Sequence, residues 1–331
     1  MQSRMNDSPS DTSDRLHDGE PTVAFGPAPS RRLGRSLGIN NIFSKYCSYS
    51  CVYCQLGRTV RRTITPRTFF RVDRIVRDVE SHMRKLKELG EPIDYLTFVA
   101  NGEPTLDSNL GSAIDALRGI GEKIAVITNS SLLWREDVRA NLAKADWVSV
   151  KIDAVEEREW RLINRPHVDL RISQIIDGLE RFAMSFHGEL VSETMLVQGI
   201  NDGTQHVRQL AGVLSRMHVA CSYLCVPIRP PAESWVRGPS NAVLSECSLL
   251  LAGTLPRVEC LISEDKEPFT LIGSVSQALL DITRVHPMET KAVNDFLRKA
   301  GADWSVVERL VENGRLREIE FNGKRYYRKS N

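Results

Sequence analysis

Three cysteines lie within eight residues of the segment SKYCSYSCVYCQLG, which runs from Ser44 to Gly57. Cys47, Cys51 and Cys54 have the spacing C-x3-C-x2-C. A structural zinc site would usually need a fourth Cys or His at matched spacing, and the sequence has no second C-x2-C pair. Thiolates also favour iron–sulfur clusters. The spacing therefore predicts a metal cluster held at three corners, with the fourth corner open to a small molecule.

The cysteine loop resembles that of the radical S-adenosylmethionine (SAM) enzymes. The resemblance implies that Cys47, Cys51 and Cys54 bind a [4Fe–4S] cluster whose fourth iron binds SAM. In that family, one electron from the cluster cleaves SAM into methionine and a 5′-deoxyadenosyl radical, which abstracts hydrogen from a substrate. Tyr53 matches the position that packs near the adenine of SAM.

A second motif, NGEPTL, begins at Asn101 and directly follows the apolar run YLTFVA. It resembles the G-G-E-P element of the same family, with Asn101 in place of the first glycine. The resemblance implies that Gly102, Glu103 and Pro104 receive the amino group of SAM. An ammonium group needs carbonyl and carboxylate acceptors, which a strand end and a glutamate can supply. Taken alone, G-E-P is also a common turn.

Polar residues follow three further apolar runs. The resemblance implies that they contact SAM as cofactor-binding residues (Thr128, Asn129, Ser130 and Asn201) or as catalytic residues (Lys151 and Asp153). Lys151 and Asp153 alternate on one face of a predicted strand, so both can point into a barrel. A helix N-cap would explain Ser130 equally well, and a buried ion pair would explain Lys151.

The elements that position these motifs alternate between strand-like and helix-like patterns. The predicted strands are 37–43, 95–100, 123–128, 147–153, 192–197 and 221–226, after a lead-in loop from residue 26. The predicted helices are 72–89, 109–118, 135–143, 172–186, 203–217 and 241–253. This alternation predicts an α/β fold with parallel strands. Together with the resemblance, the alternation predicts a partial (βα)6 TIM-like radical SAM barrel over residues 25–284. The active site is expected at the carboxyl ends of its strands.

The two ends of the chain have a different character. Residues 1–24 are polar and predict a disordered tail. Residues 288–301 and 303–314 predict two helices, and Asn322-Gly323 predicts a hairpin turn. Residues 285–331 are therefore expected to form a small winged-helix-like module.

The composition is that of a globular protein, with 41% hydrophobic and 26% charged residues. No apolar run approaches the roughly 18 residues that span a bilayer, and the first twenty residues lack the apolar segment of a secretory signal. We therefore expect a cytoplasmic protein without a membrane partner, in which clustered cysteines are metal ligands or redox groups. Cys221 and Cys225 could approach a second cluster, but burial as small apolar side chains is the commoner role.

The net charge of +2 conceals a strongly basic segment. Residues 31–77, which contain the cysteine loop, have eleven basic residues and one acidic residue. Such a segment attracts phosphate-bearing partners, although a solvated face with ion-pair partners elsewhere is the alternative.

Further segments narrow the resemblance to one branch. GPAPSRRLGRSLGINN and CVPIRPPAESW resemble iron–sulfur oxidoreductases related to the tRNA wyosine-base synthases. Those synthases bind a second cluster through additional N-terminal cysteines, and residues 1–24 contain none, which argues against wyosine synthesis itself. The resemblance implies an RNA nucleoside substrate, hence tRNA modification, and an electron donor such as flavodoxin or ferredoxin. The alternatives are a protein-modifying or enzyme-activating radical SAM protein, and a cluster-based DNA-binding sensor of redox state or iron.

Overall fold

The computed structural model describes residues 23–30, 32–262, 271 and 274–330. The predicted tail at residues 1–22 lies outside this range, whereas Val23 and Ala24 are buried and the first strand begins at Ala24. In the described part of the chain, no helix is both long and apolar enough to cross a membrane.

Thirteen strands and ten α-helices are present in the described residues. The strands are β1 (Ala24–Ser30), β2 (Gly34–Ile39), β3 (Tyr46–Cys47), β4 (Arg61–Arg62), β5 (Tyr95–Phe98), β6 (Lys123–Thr128), β7 (Trp147–Lys151), β8 (Glu189–Met195), β9 (Cys221–Cys225), β10 (Val258–Leu261), β11 (Met288–Glu289), β12 (Leu316–Phe321) and β13 (Lys324–Lys329). The helices are α1 (Val72–Glu88), α2 (Leu110–Leu117), α3 (Glu136–Leu142), α4 (Glu157–Asn164), α5 (Ile172–Ser185), α6 (Thr204–Arg216), α7 (Asn241–Ala252), α8 (Val275–Val285), α9 (Thr290–Lys299) and α10 (Ser305–Glu312).

The main sheet has eight strands in the order β1-β2-β5-β6-β7-β8-β9-β10. Every neighbouring pair is parallel except β1 and β2. This arrangement confirms the predicted α/β fold with a partial barrel of parallel strands joined by helices. Strand β10 adds a seventh parallel strand that the sequence patterns did not indicate.

The start of the chain differs from the prediction. The expected lead-in loop contains strand β1, which pairs with β2, and β2 ends at Ile39 instead of reaching residue 43. Pro27 and Pro29 favoured a loop because proline cannot donate a ladder hydrogen bond. Strand β1 lies at the edge of the sheet, and an edge strand tolerates proline.

The strands separate two layers of apolar side chains. In β6, Ile124 and Val126 belong to the large core that includes the helices, whereas Ala125 and Ile127 belong to a smaller cluster on the opposite face. Cys221 and Cys225 belong to this smaller cluster and are buried. The alternation directs every second side chain of each strand into the barrel interior.

Helix α1 shows why the helical patterns were predictable. Its buried residues Ile75, Val79 and Leu86 recur at helical spacing, and Gly90 follows with a left-handed φ of 69°. Such a glycine ends a helix because it adopts this conformation without a steric penalty. Helix α1 therefore ends within one residue of the predicted boundary.

The terminal elements form a second core. Strands β11, β13 and β12 form a three-stranded sheet, and the two-residue turn at Asn322-Gly323 joins β12 to β13 as predicted. Helices α9 and α10 correspond to the two predicted helices. Helix α8, which precedes the expected start of the module at residue 285, contributes Leu279, Leu280 and Ile282 to the same core.

Candidate functional site

The cysteine loop lies against the end of strand β5, with a glycine at the point of contact. A Cβ atom on Gly102 would overlap the carbonyl oxygen of Tyr46. On either side, the Lys45 N–H donates to the carbonyl of Asn101 (2.8 Å), and the Glu103 N–H donates to the carbonyl of Tyr46 (3.1 Å). The GEP segment therefore holds the loop in place by backbone hydrogen bonds, and only glycine permits this approach.

Pro104 has a backbone role in the same segment. It begins a short 3-10 helix, Pro104–Leu106, for which Glu103 is the N-cap. Its carbonyl accepts a hydrogen bond from Asn41 Nδ2 (3.1 Å). Pro104 therefore fixes the turn that orients Glu103.

The three cysteines are free and half-buried. Each sulfur lies near its own nitrogen donor. The pairs are Asn129 Nδ2 to Cys47 Sγ (3.4 Å), Asn164 Nδ2 to Cys51 Sγ (3.4 Å) and Lys45 Nζ to Cys54 Sγ (3.9 Å). Because N–H donors stabilise negative charge on sulfur, the donor set fits three ligating thiolates.

The local electrostatics disfavour free thiolates. Burial, together with the neighbouring Cys51 and Glu103, raises the pKa of Cys47 well above its usual value. Burial and the Asp153 carboxylate raise the pKa of Cys51 to about 12. A coordinated metal deprotonates such thiols and supplies the missing positive charge.

No three His, Cys, Asp or Glu side chains within the described ranges are arranged to hold a single metal ion. A cluster does not require three ligands around one ion, because each cysteine binds its own iron. The three donor pairs, one at each sulfur, fit that arrangement.

Glu103 is the buried centre of the SAM-type motifs. Its carboxylate accepts hydrogen bonds from Thr105 Oγ1 (2.6 Å), Thr128 Oγ1 (2.6 Å) and the Asn129 N–H (2.7 Å). Burial raises its pKa, and these hydrogen bonds oppose the shift. The structure therefore brings three predicted cofactor residues, Glu103, Thr128 and Asn129, into direct contact.

The segment after β6 links this centre to the cysteine loop and to β7. Asn129 Nδ2 donates to Ser48 Oγ (2.9 Å) as well as to Cys47. Ser130, with a left-handed φ of 67°, accepts a hydrogen bond from the Lys151 N–H (2.8 Å). Ser130 is not the N-cap of helix α3, because that position is Arg135.

Asp153 is a second buried centre. Its carboxylate accepts hydrogen bonds from the Tyr53 hydroxyl, from Asn164 Nδ2 (2.7 Å) and from the Met195 N–H (2.8 Å). Lys151 Nζ lies 3.9 Å from Asp153 Oδ1 and 5.2 Å from the centre of the Tyr53 ring. The predicted pair of Lys151 and Asp153 therefore does share one site with Tyr53.

Asn201 acts on the same region from the loop after β8. Its Nδ2 donates to the carbonyls of Asp153 (2.7 Å) and Met195 (2.8 Å), and its Oδ1 accepts from the Val197 N–H (2.7 Å). The side chain is fully buried. These contacts position the backbone at the ends of β7 and β8.

Two residues of the site were missed by the sequence patterns. Lys45 was counted only as part of the basic segment, although it is buried and has a left-handed φ of 64°. Asn164 ends helix α4, which was not predicted, and it joins Cys51 to Asp153. The short helix WRLIN before Arg165-Pro166 was the only available signal for Asn164.

The surface beside the cysteine loop is basic and aromatic. Strand β4 pairs with β3 so that Arg62 lies opposite Cys47. Arg61 and Arg67 each lie 5.8 Å from the centre of the Tyr46 ring. For Arg61, Arg62 and Arg67, no carboxylate oxygen of the described residues lies within 4 Å. We call these three residues the arginine face.

The terminal module contacts the loop just after its last cysteine. Arg328 Nη1 donates to the carbonyl of Gln55 (2.9 Å), and Gln55 Nε2 donates to the carbonyl of Val285 (2.9 Å). Tyr326 OH donates to the carbonyl of Ile228 (3.1 Å), in the loop after β9. The module therefore packs on both the cysteine loop and the barrel.

Comparisons with known proteins agree with this geometry. The family model described as "Radical SAM superfamily" matches residues 41–211, which is more than half of the chain. A UPF0026 protein of Methanocaldococcus jannaschii is 42% identical over 93% of this chain and 96% of its own length. A more distant relative, a probable dual-specificity RNA methyltransferase of Opitutus terrae, is 25% identical over 62% of this chain and 58% of its own.

Among solved structures, a radical SAM methyltransferase from Sphaerobacter thermophilus has a similar fold. The TM-score is 0.53 at 17% identity, with 70% of this chain and 67% of that chain covered. This likeness concerns the fold. From the family match and the UPF0026 relative, the chain belongs to the radical SAM superfamily and is an enzyme of that class.

Proposed function

We propose that this protein modifies an RNA nucleoside by radical SAM chemistry, with tRNA as the first substrate to test. Cys47, Cys51 and Cys54 would hold a [4Fe–4S] cluster. When bound, the cluster and SAM would supply a 5′-deoxyadenosyl radical that abstracts hydrogen from the substrate. The observation that carries the proposal is the convergence of three cysteines with the two buried carboxylates, Glu103 and Asp153, at the strand ends.

The residues around Glu103 would bind the amino acid part of SAM. Glu103 is the buried anion that an ammonium group requires, and Gly102 and Pro104 fix the backbone that presents it. Thr128, Asn129 and Ser130 complete this side of the site. Thr128 and the Asn129 N–H donate to the carboxylate, and the Ser130 N–H donates to Thr128 Oγ1, so the carboxylate is held in one orientation before a ligand binds.

The residues around Asp153 would contact the carboxylate and the adenine of SAM. Lys151 is partly exposed and would bind the SAM carboxylate, whereas Asp153 would act by positioning Tyr53 beside the adenine. Asn201 would support the adenine through the backbone it holds.

The arginine face supports an RNA partner. Arg61, Arg62 and Arg67 are exposed and have no carboxylate partners among the described residues, so they are available to phosphate groups. Arg67 lies over the Tyr46 ring and over the buried Phe69 ring, which hold its guanidinium at this surface. The RNA methyltransferase among the relatives agrees with this partner class.

The cluster-sensor alternative has less support. A protein that only senses redox state or iron would not need the hydrogen-bonded carboxylate at Glu103. The winged-helix-like module would also have to read DNA through α10, whose exposed Glu308 and Glu312 would repel phosphates. No observation favours a protein substrate over RNA.

We also propose a reducing cytoplasmic setting and a small electron carrier, such as flavodoxin or ferredoxin, as the electron donor. All seven cysteines are free thiols, as expected where disulfides are not maintained.

The first experiment measures 5′-deoxyadenosine after anaerobic reconstitution with iron and sulfide and addition of SAM and dithionite. Wild-type protein is expected to form the product, and Cys51→Ala to form none. Cys260→Ala, a half-buried cysteine outside the loop, is the matched control and should retain product formation. A loaded wild-type cluster that gives no product, with or without RNA, would refute the enzymatic proposal.

The substrate class is tested by binding of bulk tRNA as a function of salt. The triple variant Arg61→Gln/Arg62→Gln/Arg67→Gln is expected to bind tRNA more weakly. The slope of the logarithm of its binding constant against the logarithm of salt concentration should be smaller in magnitude by about two to three. The control is Arg71→Gln/Arg77→Gln, since both arginines pair with Asp73. Equal affinities for wild type and triple variant would count against RNA binding at the arginine face.

A further inference from the structure

The cysteine loop contains a buried cation without a carboxylate partner. Lys45 is 4% exposed, and its ammonium group contacts the carbonyl of Gly57 (2.5 Å) and the sulfur of Cys54 (3.9 Å). No carboxylate oxygen of the described chain lies within 4 Å of it. Burying an unpaired charge is costly, so negative charge close to Lys45 would be stabilised.

The backbone of Lys45 adds a second cost. Its φ of 64° is in the left-handed region, where a glycine would be unstrained. Such strain persists where the surrounding structure imposes it, and it is common at functional sites. At this position the chain has a lysine, and its ammonium group is directed at the sulfur of Cys54.

A second cation approaches the same cysteine from the terminal module. Arg328 is half-buried on β13, and its guanidinium donates to the carbonyl of Gln55, the residue after Cys54. Burial and the neighbouring Arg317 lower the pKa of Arg328, whereas Cys54 raises it. Arg328 also has no carboxylate oxygen within 4 Å among the residues described.

We propose that Lys45 and Arg328 together raise the reduction potential of the cluster from its Cys54 side, so that the terminal module helps to set how readily the enzyme accepts an electron. The inference rests on the proposed cluster ligation. One-electron reduction adds a negative charge at the cluster, and nearby cations stabilise it. Near Cys47 and Cys51, by contrast, the buried charged groups are the carboxylates of Glu103 and Asp153. Lys45 and Arg328 therefore act mainly on the Cys54 side.

The test is a potentiometric titration of the reconstituted holoenzyme, monitored by electron paramagnetic resonance of the reduced cluster. Lys45→Met and Arg328→Met remove one charge each and keep an unbranched side chain. Lys45→Arg keeps the charge. Arg325→Met is the matched control, because Arg325 lies on the same strand but is exposed and pairs with Glu318.

We expect each of the two Met variants at Lys45 and Arg328 to lower the equilibrium constant for one-electron reduction by about tenfold, which is a fall of about 59 mV in potential. Lys45→Arg and Arg325→Met should stay close to wild type. Unchanged potentials in loaded Lys45→Met and Arg328→Met would overturn the inference. If Lys45→Met does not fold, the potential of Arg328→Met decides the test alone. The Arg328 side chain lies on the surface of the module that faces the loop.

Iron and sulfide content is measured before any potential. A wild-type protein that binds no cluster would contradict the proposed function. A wild-type cluster that forms normally but has a potential insensitive to both cations would contradict only the inference.

Discussion

The two sides of the cysteine loop differ in the sign of the charge that surrounds them. On the barrel side, Cys47 and Cys51 lie near the carboxylates of Glu103 and Asp153. On the module side, Cys54 lies near Lys45 and, through the adjacent Gln55, near Arg328. Buried carboxylates thus lie beside Cys47 and Cys51, together with the partly exposed Lys151, whereas the charged groups nearest Cys54 are cations.

The two sides also differ in how completely their charges are satisfied. The carboxylates of Glu103 and Asp153 accept several hydrogen bonds each, from residues on different elements. The ammonium group of Lys45 has one carbonyl and one sulfur. The carboxylates of the barrel side are therefore held in fixed orientations, whereas Lys45 has no carboxylate oxygen within 4 Å among the described residues.

Gly102→Ala is expected to have the largest effect, because it prevents the close approach of the cysteine loop to the end of strand β5. The new methyl group would overlap the Tyr46 carbonyl, so the loop must move. We expect loss of bound iron after reconstitution and a fall of about 3 kcal/mol in the free energy of unfolding. Gly203→Ala, which has open space around its Cβ position, is the control. Full iron content in Gly102→Ala would show that the contact is dispensable.

Glu103→Gln should have the next largest effect, since it removes the buried anion and keeps the shape. We expect SAM to bind about 100-fold more weakly, as for the loss of one partner of a buried charge pair. The measurement is equilibrium binding of SAM to the loaded protein. Glu308→Gln, an exposed change on α10, should bind SAM like wild type. An unchanged affinity in Glu103→Gln would place the ammonium group elsewhere.

Asp153→Asn tests whether the second carboxylate positions its neighbours. The variant cannot accept hydrogen bonds from Tyr53, Asn164 and the Met195 N–H together. We therefore expect the free energy of unfolding, measured with urea, to fall by about 2 kcal/mol. Tyr53→Phe removes the hydrogen bond to Asp153 and a long one from Asn164 Nδ2 (3.5 Å), and should cost about 1 kcal/mol. Equal stability of Asp153→Asn and wild type would mean that these hydrogen bonds contribute nothing net.

Much of the barrel was predictable because its information is local. Strand β6 matches its prediction at both ends, and helix α1 shows apolar spacing followed by a glycine stop. The strand-end motifs were also predictable, since parallel strands bring their carboxyl ends together. Strand β1 was missed because the prolines of an edge strand look like those of a loop.

The electrostatic division of the site was not predictable from local pattern. Lys45 and Arg328 are 283 positions apart in the sequence, and the fold of the loop brings Lys45 toward Cys54 while the packing of the terminal module brings Arg328 there. Asn164 was missed for a different reason, because helix α4 is only eight residues long and a pattern this short is hard to assign.

The smallest predicted effect concerns Gln55, which links the cysteine loop to the terminal module. Gln55 accepts a hydrogen bond from Arg229 and donates one to the carbonyl of Val285, at the end of α8. Gln55→Ala removes both, which should cost about 1 kcal/mol of docking energy and leave the fold intact. We expect faster amide hydrogen exchange in α8 and β13, without a change in the barrel strands. Gln277→Ala, an exposed change on α8 itself, controls for helix propensity. If both variants exchange alike, the module is held by its apolar contacts, and the cations at Cys54 do not depend on Gln55.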